Sequence, residues 1–476
     1  ILEEYGILIN PGFVIPAETT HITGIHQDDL RNAPTLPHVL PEIRSFVGDA
    51  PVIAHNAAFD VGFMRRFGAL QQNLPLDTYE LASLLLPRAP RYNLTSLATG
   101  FEIDLENAHR ALDDARATAI LYWHLWQKAI SLPLELLQEI NRAAQTFTWE
   151  SGAFFRDAME TVEATSQHQE TNPIAEVFQP LREDIPALKP NAEQLPLDVD
   201  SLVETLNDES LFQAQFPQYE ARHEQIDMTK AIAQAFNQHE HLMVEAGTGT
   251  GKSLAYLLPA MKWALQNQQR VVISTNTINL QEQLFNKDVP GLQAVLDEEP
   301  RVAVMKGRGN YLCPRRLDAM RRRTPNDLDE LRTMAKILIW LHESQSGDRG
   351  EITLRSGEYF TWGRLSAEDE GCTTHRCQSA MQGACPYFKA RKRAEAAHLV
   401  IANHALLIRD VAAENHVLPE FKHLIVDEAH QLEDAITQGM SVRVDQSSLL
   451  RRLNELGGTN KGIFGDLMRS TREAAP

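Results

Sequence analysis

Four sets of residues in this 476-residue chain have types and spacing suited to chemistry. The first is A-G-T-G-T-G-K-S at residues 246–253, set between an apolar run at 241–244 and an apolar segment, 254–265, long enough for a helix. Gly247, Gly249 and Gly251, alternating with Thr248 and Thr250, let backbone N–H groups close on phosphate oxygens because no Cβ blocks the turn. The positive end of the following helix points at the same phosphates. Lys252 suits the β- and γ-phosphates of a nucleoside triphosphate such as ATP, and the Ser253 hydroxyl suits Mg²⁺. The second set, Asp427-Glu428-Ala429-His430, follows the aliphatic run 423–426. Two carboxylates at a strand's carboxyl end can hold Mg²⁺ and orient a water. The third is Asp60, closing H-N-A-A-F-D, together with Asp113 and Asp114 in H-R-A-L-D-D-A. Acids at a strand end and on a helix suit a two-metal phosphodiester hydrolase using Mg²⁺ or Mn²⁺, and His109, five residues before Asp114, suits a general base. The fourth is Cys313, Cys372, Cys377 and Cys385, spaced C-x58-C-x4-C-x7-C. Zinc is the generic ligand of four thiolates, but its sites usually show paired C-x2–4-C knuckles and only one such gap occurs. Each set also has a plain structural reading: a turn before a core helix, a solvated helix face, or unligated thiols.

The elements that must position these residues alternate strand and helix. Residues 2–10 and 50–54 read as strands, as do 270–274 and 423–426, and the segments between them read as helices. That alternation predicts an α/β architecture with parallel sheets. Between the halves, residues 151–209 lose periodicity and hold 13 acids against Arg156, Arg182 and Lys189, giving −10 of the chain's net −19. This reads as a partly ordered tether interrupted by a short helix near Ile174 to Leu181, with an acidic mimic of DNA as the rival. The overall negative charge excludes a uniformly basic nucleic-acid coat, so any such surface must be local. Arg315, Arg316, Arg321, Arg322, Arg323, Lys389, Arg391, Lys392 and Arg393, interleaved with Tyr311, Tyr387 and Phe388, supply one candidate around the cysteines. Four cysteines confined to residues 313–385 fit a reducing cytoplasm and a site rather than a disulfide framework. No apolar run reaches the roughly 18 residues of a membrane span.

H-N-A-x-F-D, L-T-S-L-A and H-R-A-L-D-D-A resemble motifs of the DnaQ-like 3′–5′ exonucleases, an RNase H-like fold. That resemblance makes Asp60 and Asp114 metal ligands and His109 the general base. The family's D-x-E on a first strand is expected upstream of Leu2, so the domain lacks that strand and half its ligands as the chain stands. A-G-T-G-T-G-K-S is the form seen in superfamily 2 helicases, T-N-T-I-N-L-Q matches their DNA-backbone motif, and Gln225 with Tyr219 and Arg222 resembles their adenine-recognising segment. A lone cysteine followed by three closer ones resembles the iron–sulfur domain of XPD-like helicases, which implies a 4Fe–4S cluster. The whole order resembles DinG-type helicases with a fused exonuclease domain. The implied layout is an exonuclease domain at 1–130, an acidic linker at 131–210, and a RecA-like motor at 211–310 and 393–435. An iron–sulfur domain at 311–392 interrupts the motor, and an arch-like insertion starts at 436–476. The implied activity is ATP-driven unwinding of DNA with a single-stranded tail, with a second RecA-like domain expected beyond residue 476. Two rivals are a nuclease whose motor half only grips DNA and a binding protein with a decayed motor. Intact Lys252, Asp427 and Glu428 count against the latter.

Overall fold

A computed structural model of the chain describes residues 2–105, 110–165, 178–179, 185–247, 249–368, 372, 384–414 and 416–441, and beyond these 446, 449–450, 453, 456–458 and 462–473. The described chain forms two compact units, each discontinuous in sequence. One comprises residues 1–185 and 307–392, the other residues 186–306 and 393–476. His109, Thr248 and Cys377, and most of the helix expected near residue 174, lie outside the described residues.

In the first unit, β1 (Val52–Ala54) pairs in parallel with β2 (Pro75–Asp77), with Ile53 opposite Leu76. The strand expected over residues 2–10 does not form. A strand needs a backbone ladder beside it, and this segment is tied down by isolated contacts instead. Arg116 grips the Glu4 carboxylate, Tyr5 lies 5.6 Å from the Phe46 ring, and the Asn10 N–H donates to the Pro34 carbonyl at 2.9 Å. The helix Ala111–Ile130 forms because Ala117, Leu121, Leu125 and Ala129 recur every four residues, and all four are fully buried. Leu134–Ala144 and Ser151–Thr165 pack into the same core through Ile140, Phe154 and Phe155. The first part of the acidic stretch read as a tether, Ser151–Thr165, is therefore ordered helix, because apolar residues at helical spacing persist within its acidic composition.

The segment carrying the cysteines completes this core. Its helix Leu328–Glu343 buries Leu331, Ala335, Ile337, Ile339 and Trp340 around its circumference, as only a helix surrounded by other elements can. Lys336 on that helix is fully buried, donates to Glu358 at 2.8 Å and sits 5.2 Å over the Tyr92 ring. Arg321 and Arg332 from this segment pair with Glu139 and Glu80 of the amino-terminal part, and the Thr353 N–H donates to the Pro87 carbonyl at 2.8 Å.

In the second unit, β3 (Val271–Thr275), β4 (Val302–Val304), β5 (Leu399–Asn403) and β6 (His423–Val426) form a four-stranded parallel sheet in the order β4-β5-β3-β6. Ile273 of β3 lies between Ile401 and Ile425 of its neighbours. β3 is buried throughout, as a near-continuous apolar run in a parallel sheet requires. The helices His223–Gln238 and Lys252–Asn267 pack against each other over this core. The strand expected at residues 241–244 is absent. Leu242, Met243 and Val244 are exposed, and β6 closes the sheet order, so this run has no paired neighbour among the described residues. No described helix is long and apolar enough to cross a membrane.

The buried Lys336–Glu358 pair gives a test of the first unit. Burial alone would push the Glu358 carboxyl up, but the Lys336 ammonium beside it and the Arg355 N–H hold it below the usual range, while burial lowers the Lys336 pKa. Glu358→Leu strands a buried ammonium and should cost about 3–5 kcal/mol in denaturant unfolding. Lys336→Met should cost less, because Arg355 still donates to Glu358 at 2.9 Å. Equal losses would contradict this reading.

Candidate functional site

In the second unit, the glycine-rich turn opens into the helix Lys252–Asn267, whose N-cap is Gly251. Gly249 and Gly251 have φ of 83° and 78°, the left-handed conformation that a side chain disfavours. At Gly251 a Cβ would also lie 2.3 Å from the Gln225 amide. Gln225 is buried, donates to the Gly251 carbonyl at 3.1 Å and accepts from the Tyr219 hydroxyl at 3.3 Å. The residue that resembles an adenine reader thus braces the turn here.

The parallel pairing of β6 with β3 brings the acids to this turn. The Asp427 N–H donates to the Ser274 carbonyl at 2.8 Å, which continues the ladder one residue past β6. Glu428 then takes φ 54°, a left-handed residue that turns the chain out of the sheet into Ala429–Gln431. As a result Lys252 Nζ lies 3.6 Å from Glu428 Oε1 and 3.4 Å from the Ala246 carbonyl, while the Tyr256 hydroxyl donates to Asp427 Oδ2 at 3.1 Å. Sequence reading missed Tyr256, although it lies one helical turn past Lys252 on the face toward the sheet. Burial pushes its phenol up, the Asp427 charge adds to that, and it remains a donor. His404 was also missed. It is fully buried, its Nδ1 lies 2.8 Å from the Ser274 hydroxyl, and burial lowers its pKa and favours the neutral form. Asp288, a third acid beside Ser253, carried no sequence signal at all; burial pushes its carboxyl up. The turn, Lys252, Ser253, Asp427 and Glu428 suit a triphosphate with a divalent cation, since backbone donors and one ammonium face two carboxylates.

In the first unit, β1 and β2 lead into the helices Ala57–Arg66 and Thr78–Leu85. Asp60 stands in the first turn of the former, and Asp114 in the first turn of Ala111–Ile130. Although Asp60 is solvent-exposed on one side, partial desolvation raises its carboxyl, and the charges of Asp114 and Asp77 add to that. Carboxylates that repel each other in this way are relieved by a bound cation. Asp113 instead pairs with Arg116 at 3.1 Å. Asp77 was missed as a site residue; its carboxylate accepts the N–H groups of Asn56 and Tyr79, both at 2.9 Å, and so fixes the turn that precedes Asp60. An acid just before an apolar helix is a readable N-cap signal. Behind the helix Ala57–Arg66, a cavity of about 370 Å³ is lined by Arg65, Asp77 and Glu80 together with Arg332 and Arg355.

Of the four cysteines, Cys313 and Cys385 are buried and Cys372 is half-buried. Burial pushes the Cys385 thiol up, and Cys313 and Cys372 lie close enough to add to the effect. Among the described residues, no group of three or more His, Cys, Asp or Glu is arranged to hold a metal ion. The basic surface expected around them is partly spent on structure. Arg321 and Arg323 pair with Glu139 and Glu330, Arg316 donates to the Gly363 and Ser366 carbonyls, and Lys389 is buried. Tyr311 and Tyr387 are buried edge to face at 5.7 Å, and Arg308 lies 5.1 Å over the Tyr387 ring, so neither offers a stacking face.

Comparison with known proteins matches three segments of the chain. The Exonuclease family matches residues 1–122, the DEAD/DEAH box helicase family residues 226–308, and the DEAD_2 family residues 375–449. A Bacillus subtilis (strain 168) protein named 3'-5' exonuclease DinG is 30% identical over 467 residues, covering 96% of this chain and 49% of its own. Proteins of the same name from Staphylococcus aureus strains USA300 and NCTC 8325 are 26% identical over 464 residues, with the same coverage. The chain spans about half the length of these relatives. It joins an exonuclease-family domain to DEAD/DEAH-box and DEAD_2 helicase segments, and over nearly all of its own length it is similar to the proteins named 3'-5' exonuclease DinG.

Proposed function

We propose that this chain belongs to an ATP-dependent DNA helicase with a fused exonuclease domain, working in the cytoplasm on DNA with a single-stranded portion. The observation that carries the proposal is the meeting of Lys252 and Glu428 at 3.6 Å beside the glycine-rich turn. Backbone N–H groups of the turn, including those of Gly247, Gly249 and Gly251, take the phosphates, and Lys252 leaves Glu428 and the Ala246 carbonyl for the β- and γ-oxygens. Glu428, so released, orients the attacking water. Ser253 and Asp427 are the residues that would hold Mg²⁺, which neutralises charge developing on the phosphates. Gln225 turns from Gly251 to the adenine edge when nucleotide is bound, and Thr248 and Thr250 complete the loop. ATP hydrolysis here drives DNA movement.

We also propose that Asp60 and Asp114 hold Mg²⁺ or Mn²⁺ for phosphodiester hydrolysis, with His109 as the general base. The raised Asp60 carboxyl, crowded by Asp114, supports this assignment. Cys313, Cys372, Cys377 and Cys385 are assigned to a 4Fe–4S cluster in an iron–sulfur domain; support comes from the burial of Cys313 and Cys385 and the nearness of Cys372 to them. The name of the relatives, 3'-5' exonuclease DinG, favours a second reading, a 3′–5′ exonuclease whose motor-like half binds and positions DNA.

Lys252→Ala in the full-length protein removes the ammonium assigned to the β- and γ-phosphates. Strand displacement on a duplex with a single-stranded tail should fall to background, while exonuclease activity on single strands should stay within about twofold. Unwinding at the unsubstituted rate would refute the motor reading.

Anaerobically purified protein should be brown and hold about 4 iron and 4 sulfide per chain. Cys372→Ser should bleach it and speed proteolysis between residues 313 and 385. One zinc and no iron would decide for a zinc site.

A further inference from the structure

Tyr256 follows Lys252 by one turn on the helix Lys252–Asn267, so the two side chains share a face. Tyr256 is only 2% exposed, and its ring belongs to the core that also contains Ile273 and Ile401. Packing accounts for the ring and leaves the hydroxyl to be explained. That hydroxyl donates to Asp427 Oδ2 at 3.1 Å. The other oxygen, Asp427 Oδ1, accepts the Glu428 N–H at 3.0 Å. The Asp427 N–H in turn donates to the Ser274 carbonyl at 2.8 Å. Each oxygen of the carboxylate therefore has a donor, and the backbone that carries it is tied to β3.

The physical chemistry of an aspartate explains what a second donor adds. Rotation of a carboxylate about its last bond is broad and two-fold, so rotamer preference alone does not set its plane. One donor on each oxygen sets the plane and still leaves acceptor sites open, since a carboxylate offers about four. The kind of donor matters as well. An ammonium would orient the group but would offset the negative charge that a divalent cation needs. A buried phenol orients it and adds no charge. Burial and the Asp427 charge both raise the Tyr256 pKa, so the hydroxyl keeps its proton. The ammonium of the site, Lys252, lies instead beside Glu428 at 3.6 Å.

We propose that Tyr256 is a positioning residue of the nucleotide site: its hydroxyl fixes the plane of the Asp427 carboxylate and so presents that group to the divalent cation that accompanies the nucleotide. This rests on the assignment of Asp427 to Mg²⁺. The effect is confined to the Mg²⁺-dependent part of nucleotide affinity, because the hydroxyl holds Asp427 rather than the glycine-rich backbone or Lys252.

The test is to titrate the full-length protein with a fluorescent ADP analogue, in Mg²⁺ and in EDTA, for the unsubstituted protein and three variants. Tyr256→Phe keeps the buried ring and removes the donor. It should reduce the gain in affinity on adding Mg²⁺ by about 10-fold and leave affinity in EDTA within about twofold. The loss stays at the low end for an outer partner of a metal-binding group, because the Glu428 N–H still holds Oδ1. Asp427→Ala should lose more of the gain, and adding Tyr256→Phe to it should remove nothing further, because the phenol acts through the carboxylate. Additive losses, an unchanged Mg²⁺-dependent gain in Tyr256→Phe, or equal losses with and without Mg²⁺ would each overturn the inference while leaving the Asp427 assignment standing. If Asp427→Ala itself keeps the full gain, that assignment fails and the inference fails with it.

Discussion

The approach of Lys252 to Glu428 depends on the parallel pairing of two strands and a turn that only glycine permits. β6 must lie beside β3 in register for Asp427 to extend the ladder through Ser274. Glu428 must then adopt a left-handed conformation to leave the sheet toward Lys252. On the other side, Gly251 must admit the Gln225 amide, which no residue with a Cβ could do without displacing it. Both partners are about a third exposed, so the contact itself contributes little to stability. Its meaning is geometric. It sets the ammonium and the carboxylate 3.6 Å apart beside the glycine-rich turn.

The first unit obeys a different constraint. Its two-stranded sheet is too small to build a core alone, and the helix Leu328–Glu343 from the cysteine-bearing segment supplies much of the missing apolar surface. The ion pairs from Arg321, Arg332 and Lys336 fix that helix in one orientation. The segment inserted into the motor sequence is therefore part of the structural support of the nuclease-like domain. A change that loosens the cysteine region has a packing route to the helix that carries Asp114 through Thr78–Leu85, which touches both.

The parts legible in sequence were those whose chemistry is local. Gly247 to Ser253 announce a phosphate site because glycine, lysine and serine must occur in that order on one turn. The strand around Ile273 was legible because a buried parallel strand is a continuous apolar run, and the edge strand around Ile425 because it is aliphatic too, although only half-buried. Residues 2–10 and 241–244 misled for the same reason: each has strand-like composition, but a strand also needs a paired neighbour, which composition does not supply. The buried Tyr311 and Tyr387 were illegible because their roles depend on long-range packing. The arginines read as a DNA surface belong partly to internal ion pairs, which a charge count cannot distinguish from a solvated patch.

The central claim is that the Lys252–Glu428 site is an ATPase coupled to DNA. The most direct measurement is the steady-state rate of ATP hydrolysis by the full-length protein, with and without saturating single-stranded DNA. The account predicts slow hydrolysis alone and at least a tenfold rise with DNA. No hydrolysis, or a rate indifferent to DNA, would contradict it and leave the second unit a binding platform for the nuclease.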